Sequence, residues 1–270
     1  MVNSYSIPDR QKLSILLATI LLALVVARFV ELPGMPVSFD VANILVSFEL
    51  NINSFIAVII AGLTASGTDW LLRDHPRIGS QVPVKHWVLP GLTAWVVSFP
   101  LSLLPGNSLW WLGFFAAGII LLLVISAEYI VVDIEDIRHP LASMGLIALS
   151  FMLYLIFVIS LRTVGIRLLF FFPAVVFSSS LVALRVINLR LHGRWLFPQT
   201  AAITLIVSQV AAAYHYLPIS PISFGLILFG LLYSLVNFLV SLNQAALVKN
   251  AITESAFILV ILLFLAFLIR

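Results

Sequence analysis

The chain has 270 residues, 62% of them hydrophobic and only 9% charged, against about 25% charged in a soluble domain. Its mean hydropathy of +1.18 leaves too little polar surface to coat a globule, which excludes a water-soluble fold and a disordered chain alike. With no cysteine, disulfide scaffolds, thiolate zinc sites and cysteine-held iron–sulfur clusters are excluded, and a net charge of +3 with no basic run leaves nucleic-acid binding without support.

A bilayer core takes about 20 apolar residues per helix. The apolar runs predict nine spans, approximately Leu13 to Val30, Asn53 to Leu72, His86 to Leu104, Leu109 to Val132, Leu141 to Leu161, Leu168 to Ile187, Gln199 to Leu217, Ile222 to Leu242 and Ser255 to Ile269. Pro33-Gly34, Pro76, Pro105-Gly106, Pro140, Gly193 and the Pro218/Pro221 pair break the runs where a helix cannot easily continue. The last run is short, so eight spans with an interfacial final segment is the alternative. The first run follows basic residues but meets no clean small-x-small site, and it reads as an uncleaved helix. Between the first two runs, Val37, Phe39, Val41 and then Ile44, Val46, Phe48, Leu50 and Ile52 recur with period two. That pattern predicts a small outer β-hairpin over about 37–52, turning near Ala42-Asn43, with an extended interfacial loop as the plainer reading. The expected class is therefore an all-α polytopic bundle forming one integral membrane domain over 1–270.

Lys and Arg are retained on the cytoplasmic side. With the N-terminus inside, ten of the fourteen fall there: Arg10, Lys12, Arg73, Arg77, Lys85, Arg138, Arg185, Arg190, Arg194 and Lys249. The remaining four are Arg28, Arg162, Arg167 and Arg270. The expected location is the cell (inner) membrane, with the lipid bilayer and other membrane subunits as partners.

Small and polar residues form helix-spaced stripes. They are Gly62, Ser66, Asp69 and Arg73; Thr204, Ser208, Ala211 and His215; and Gly230, Ser234, Asn237, Ser241 and Gln244. Such a stripe lines a polar path for an ion or substrate, or simply lets helices approach closely. Ionisable groups inside spans are costlier and so more telling. Asp69, Glu128 and Arg185 share one depth near the cytoplasmic ends of their helices, and Asp69 can pair with Arg73 at i+4. The same depth argument predicts a Glu128–Arg185 bridge, acting as a clamp or as part of a relay.

Four of the five histidines, His75, His86, His139 and His192, map to the cytoplasmic side, but no pair has metal-ligand spacing, and no metal or cofactor is expected. The run Asp133-Ile134-Glu135-Asp136-Ile137-Arg138 resembles the acidic motifs of the intramembrane prenyltransferases, whose aspartates hold Mg2+ on a diphosphate. The chain departs from them in lacking the Asn-Asp-x-x-Asp core and in placing the run after the fourth span. H-E-x-x-H, G-x-S-x-G, Walker A and dinucleotide signatures are all missing.

Gly67-Thr68-Asp69-Trp70-Leu71-Leu72-Arg73-Asp74-His75-Pro76 and His86-Trp87-Val88-Leu89-Pro90 resemble a bacterial membrane family, domain-of-unknown-function family 5656. Ala127-Glu128-Tyr129, Leu184-Arg185, Gly193-Arg194-Trp195 and His215-Tyr216-Leu217-Pro218 are similar to further pieces of it. The resemblance implies a polytopic inner-membrane protein and no activity. Three function classes follow from the residues. A non-catalytic accessory or scaffold subunit of a larger complex is favoured. A transporter with a polar path along the second, seventh and eighth helices comes next, and a prenyltransferase-like enzyme last.

Overall fold

The computed structural model describes residues 8–29, 35–41, 44–50, 52–78, 83–244 and 247–269, with 35–41, 44–50 and 52–55 described as backbone only. Among these residues nine helices form: α1 (Arg10–Phe29), α2 (Ile52–Leu72), α3 (Lys85–Leu103), α4 (Ser108–Val131), α5 (His139–Val164), α6 (Leu168–Arg190), α7 (Phe197–Tyr214), α8 (Pro221–Asn243) and α9 (Val248–Leu268). Two strands, β1 (Met35–Val41) and β2 (Ile44–Leu50), pair antiparallel ahead of α2. Each of the nine expected spans therefore falls on a helix. Six of them, α1, α4, α5, α6, α8 and α9, are long and apolar enough to cross a bilayer. The protein is a multi-pass helical membrane bundle.

The other three helices have reasons for their composition. In α2 the stretch from Ile56 to Leu72 is apolar and ends in Asp69 and the Arg73 that follows the helix. In α3 the consecutive residues from Leu89 to Ala94 are all buried, so protein surrounds this stretch and Pro90 and Thr93 need not meet lipid. In α7 the buried residues Thr200, Ile203, Thr204, Val207, Ser208 and Ala211 recur at helical spacing. Its polar stripe is thus turned into the protein.

The final helix corrects one expectation. It starts at Val248 and not near Ser255, which makes it 21 residues long with a hydropathy of 2.5, enough to cross. The hairpin expectation holds at the level of register: Val37 faces Phe48, Phe39 faces Val46 and Val41 faces Ile44. The turn at Ala42-Asn43, the Pro33-Gly34 break and the end of the first run at Val30 lie outside the described residues.

Two compact units divide the chain, Met1–Asp133 and Ile134–Arg270. In the first, α1 packs on both α2 and α4 while α3 packs on α2 and α4, which closes a ring of four helices. In the second, α8 is the hub and touches α5, α6, α7 and α9, with α6 also packed on α5 and α7. Local chemistry sets the helix ends. Asn107 accepts a hydrogen bond from the Leu109 N–H at the start of α4, and Ser220 accepts from Ser223 N–H where Pro221 opens α8. The α5 terminus needs a left-handed residue, and Gly165 takes it with φ of 69°.

Candidate functional site

Most described ionisable side chains of the first unit gather at one end, where α1 and α3 begin and α2 and α4 finish, while Arg28 lies in the last turn of α1. Antiparallel connection alone brings these four ends together. Arg73 donates to Asp69 at 2.9 Å through Nε, the i,i+4 pair that their spacing predicts. Lys12 meets Asp74 and lies over the Trp70 ring at 4.9 Å. Arg77 pairs with Asp133 at 3.1 Å, joining the segment after α2 to the end of α4.

Deeper in this unit, His86 in the first turn of α3 reaches Glu128 in the last turns of α4. Nδ1 and Oε2 are 2.8 Å apart. The two side chains are 3% and 0% exposed, so the contact is shielded from solvent. A carboxylate only accepts, so an ionised Glu128 requires the proton on His86 Nδ1. The N-terminal end of the α3 dipole adds a favourable field for a carboxylate beside it. Next to this pair, the buried His75 ring meets Tyr129 edge-on at 4.7 Å, and its Nδ1 accepts the Arg77 N–H at 3.2 Å. The sequence marks Glu128 by its burial cost, while His86 stands in it only as one of four histidines on the cytoplasmic side. The signal existed: consecutive antiparallel helices place the start of α3 and the end of α4 at one depth.

In the second unit Arg185 is almost fully buried and donates to Asn188 Oδ1 at 3.2 Å. Glu128 lies in the first unit and Arg185 in the second. Arg162, near the end of α5, donates to the carbonyls of His215 and Leu217, the latter at 2.7 Å, and so caps the end of α7. His215 is packed against Phe171 with ring centroids 4.8 Å apart, and its buried Nδ1 has no hydrogen-bond partner among the described residues.

The remaining stripe residues separate. Ser208 donates to Thr204 C=O at 2.7 Å within its own helix, and the buried Ser234 hydroxyl has no partner among the described residues. Asn237 accepts from Arg190 at 2.8 Å. Asn237, Ser241 and Gln244 line a groove of about 760 Å3 walled by α5, α6 and α8. An aromatic cluster of Phe151, Phe229 and Tyr233, with centroids 5.0 to 6.0 Å apart, forms its deeper wall. Neither Ser208 nor His215 reaches this groove.

The acidic run after α4 is engaged within the protein. Asp133 is held by Arg77, and Asp136 accepts from Arg138 at 2.7 Å. That side-chain bond from Arg138 holds the Asp136 carboxyl below its usual range, opposed by burial and aided by the Arg138 backbone N–H and by the charges of Arg138 and His139. Among the described residues no three His, Asp or Glu side chains converge as a metal site would need.

Comparison with known proteins adds one match. Residues 32–269 match the family described as "Protein of unknown function (DUF5656)". The chain belongs to that family. No curated protein and no solved structure matches it. The match extends over all nine helices but α1, so the polar end of the first unit and the groove of the second both lie in family territory, apart from Lys12.

Proposed function

We propose that this DUF5656 protein is a non-catalytic accessory or scaffold subunit of a larger membrane assembly. It would sit in a bacterial inner membrane with its N-terminus cytoplasmic. The observation that carries this reading is the buried His86–Glu128 contact, in which the most shielded carboxylate of the first unit ties one helix to the next. The same use recurs at Arg162, which caps α7, and in the Lys12–Asp74 and Arg77–Asp133 pairs at the helix ends. Buried pairs of this kind fix register more than they add stability. Outward apolar surface supports a docking role. On α9, Phe257, Val260, Phe264 and Phe267 are all well exposed, and few of its residues are buried. The Glu128–Arg185 bridge, inferred from shared depth and opposite charge, is retained as part of this proposal.

Solubilisation in mild detergent followed by native mass measurement tests the reading. The expected outcome is a complex heavier than any homodimer of the 29.8 kDa chain, containing a second membrane protein. A lone protomer or homodimer overturns it. The groove in the second unit favours a second reading, a carrier of small molecules or ions, and ligand-dependent flux in liposomes would promote that one. Orientation has its own test, because the chain has no cysteine of its own. Single cysteines at Asn107 and Ser220 should react with impermeant reagent from outside, and reaction of one at Gly193 from outside would reject the cytoplasmic N-terminus.

A further inference from the structure

The groove of the second unit combines two chemistries at two depths. Its shallow end is built from helix termini that share one side of the unit. These are Ser143 near the start of α5, Arg190 at the last position of α6, and Ser241 and Gln244 where α8 stops. Its deep end is aromatic and aliphatic, with Phe151, Leu155 and Phe229. From Ser143 to Leu155, α5 rises roughly 18 Å, slightly more than half the ~30 Å hydrocarbon core. The groove therefore runs from one membrane interface to about the midplane, the depth that one leaflet's acyl chain occupies. Its volume of about 760 Å3 lies within the ~300–1,000 Å3 typical of sites for small ligands.

Charge decides the head. No Asp or Glu lines the groove, and among the described residues the half-buried Arg190 has Asn237 as its hydrogen-bond partner and no carboxylate. A guanidinium offers five N–H donors in a fixed fork, and one is committed to Asn237 Oδ1. The rest match the paired oxygens of a phosphate better than they match water at a membrane surface. The Gln244 amide and the Ser241 hydroxyl add neutral donors beside it. A zwitterionic headgroup would bring a quaternary ammonium to an end that holds a cation and no acidic partner.

We propose that the groove walled by α5, α6 and α8 binds one anionic phospholipid, with its phosphate at Arg190 and one acyl chain along Phe151, Leu155 and Phe229. The site requires only that the protein lie in a bilayer, and it stands or falls separately from the scaffold reading. A bound lipid here completes a unit that otherwise leaves a cation in a half-buried, largely apolar cleft.

The test uses the full chain, purified in mild detergent and stripped of lipid. Thermal unfolding and native mass are measured with phosphatidylglycerol, with phosphatidylcholine, with diacylglycerol and with inorganic phosphate alone. Phosphatidylglycerol should raise the unfolding temperature most and remain as a single adduct. Arg190→Gln, which keeps an amide to meet Asn237, should weaken that binding about tenfold, the worth of one charge-assisted hydrogen bond, and erase the preference for phosphatidylglycerol over phosphatidylcholine. Ala148→Trp places a ring in the groove from an exposed position of α5 and should abolish the adduct in a folded protein. Equal binding of phosphatidylglycerol and phosphatidylcholine by the unmodified chain would overturn the proposal. So would equal stabilisation by inorganic phosphate alone, which would make the site one for a free anion. Comparing headgroups needs no variant, so a misfolded substitution leaves the proposal open to refutation.

Discussion

Replacing His86 by leucine removes one side of the most shielded polar contact in the first unit. With His86 protonated, two unit charges 2.8 Å apart would attract by about 6 kcal/mol at an effective dielectric of ~20, an upper bound on a contact that a neutral imidazole N–H makes more weakly. Taking both groups out of water returns several kcal/mol of that, so the net worth is far smaller. Glu128 keeps further interactions in the structure, which holds the loss below the ~3–5 kcal/mol expected when a buried pair is broken outright. The expected cost of His86→Leu is therefore about 2 kcal/mol, in the range for a hydrogen bond to a charged group. Glu128→Leu should cost a similar amount. The double variant places two apolar side chains against each other, removes both members of the contact, and should cost less than the sum by about 1–2 kcal/mol. Unfolding in mixed detergent micelles titrated with a denaturing detergent, followed by tryptophan fluorescence, measures all four proteins. Additivity within ~0.5 kcal/mol would show that the two side chains are not coupled and would refute the clamp.

Arg162→Met should expose the carbonyls of His215 and Leu217, destabilise the protein by about 1.5–3 kcal/mol and speed amide exchange around residues 215–219; Arg162→Lys should rescue only part, since an ammonium lacks the fork that meets two carbonyls. Unchanged exchange there would remove the capping role. A methyl group at Gly225 would sit 2.5 Å from Ile159 Cγ1, so Gly225→Ala should prise α8 from α5 and cost about 1–3 kcal/mol, whereas Gly145→Ala meets nothing within 4 Å and should stabilise by up to about 1 kcal/mol. Equal melting temperatures for these two variants would contradict the close approach. Asp136 has a folded pKa below its unfolded value, so its contribution is present above the unfolded value of about 3.9 and is lost as pH falls through the depressed folded value. The melting-temperature gap between the natural chain and Asp136→Asn should persist at neutral pH and close on acidification below that range; a gap that widened in acid would reverse the assignment.

Helix number, position and ends were legible in the sequence because each depends on neighbours along the chain. A bilayer forces every backbone N–H and C=O of a span to be paired within it, so apolar length marks a helix, and Pro, Gly, Asn and Ser mark its ends. The Asp69–Arg73 pair was readable for the same reason, since four residues along a helix is a fixed distance. The start of α9 was misplaced because Lys249 and Glu254 read as loop, although a helix end at a membrane surface accommodates charge readily.

What required tertiary structure was partner choice between helices. Depth is readable from the chain, but several helices share each depth, and rotation about each axis decides which side chains meet. Glu128 could therefore be marked from its burial cost, while its partner His86 emerged only once α3 and α4 were packed. Arg190 counted in the sequence only as one of ten inside charges, and Asn237 and Ser241 only as members of a stripe. Packing α5, α6 and α8 together turned them into one end of a groove, because a cavity is bounded by surfaces from three helices and no local pattern encodes its volume.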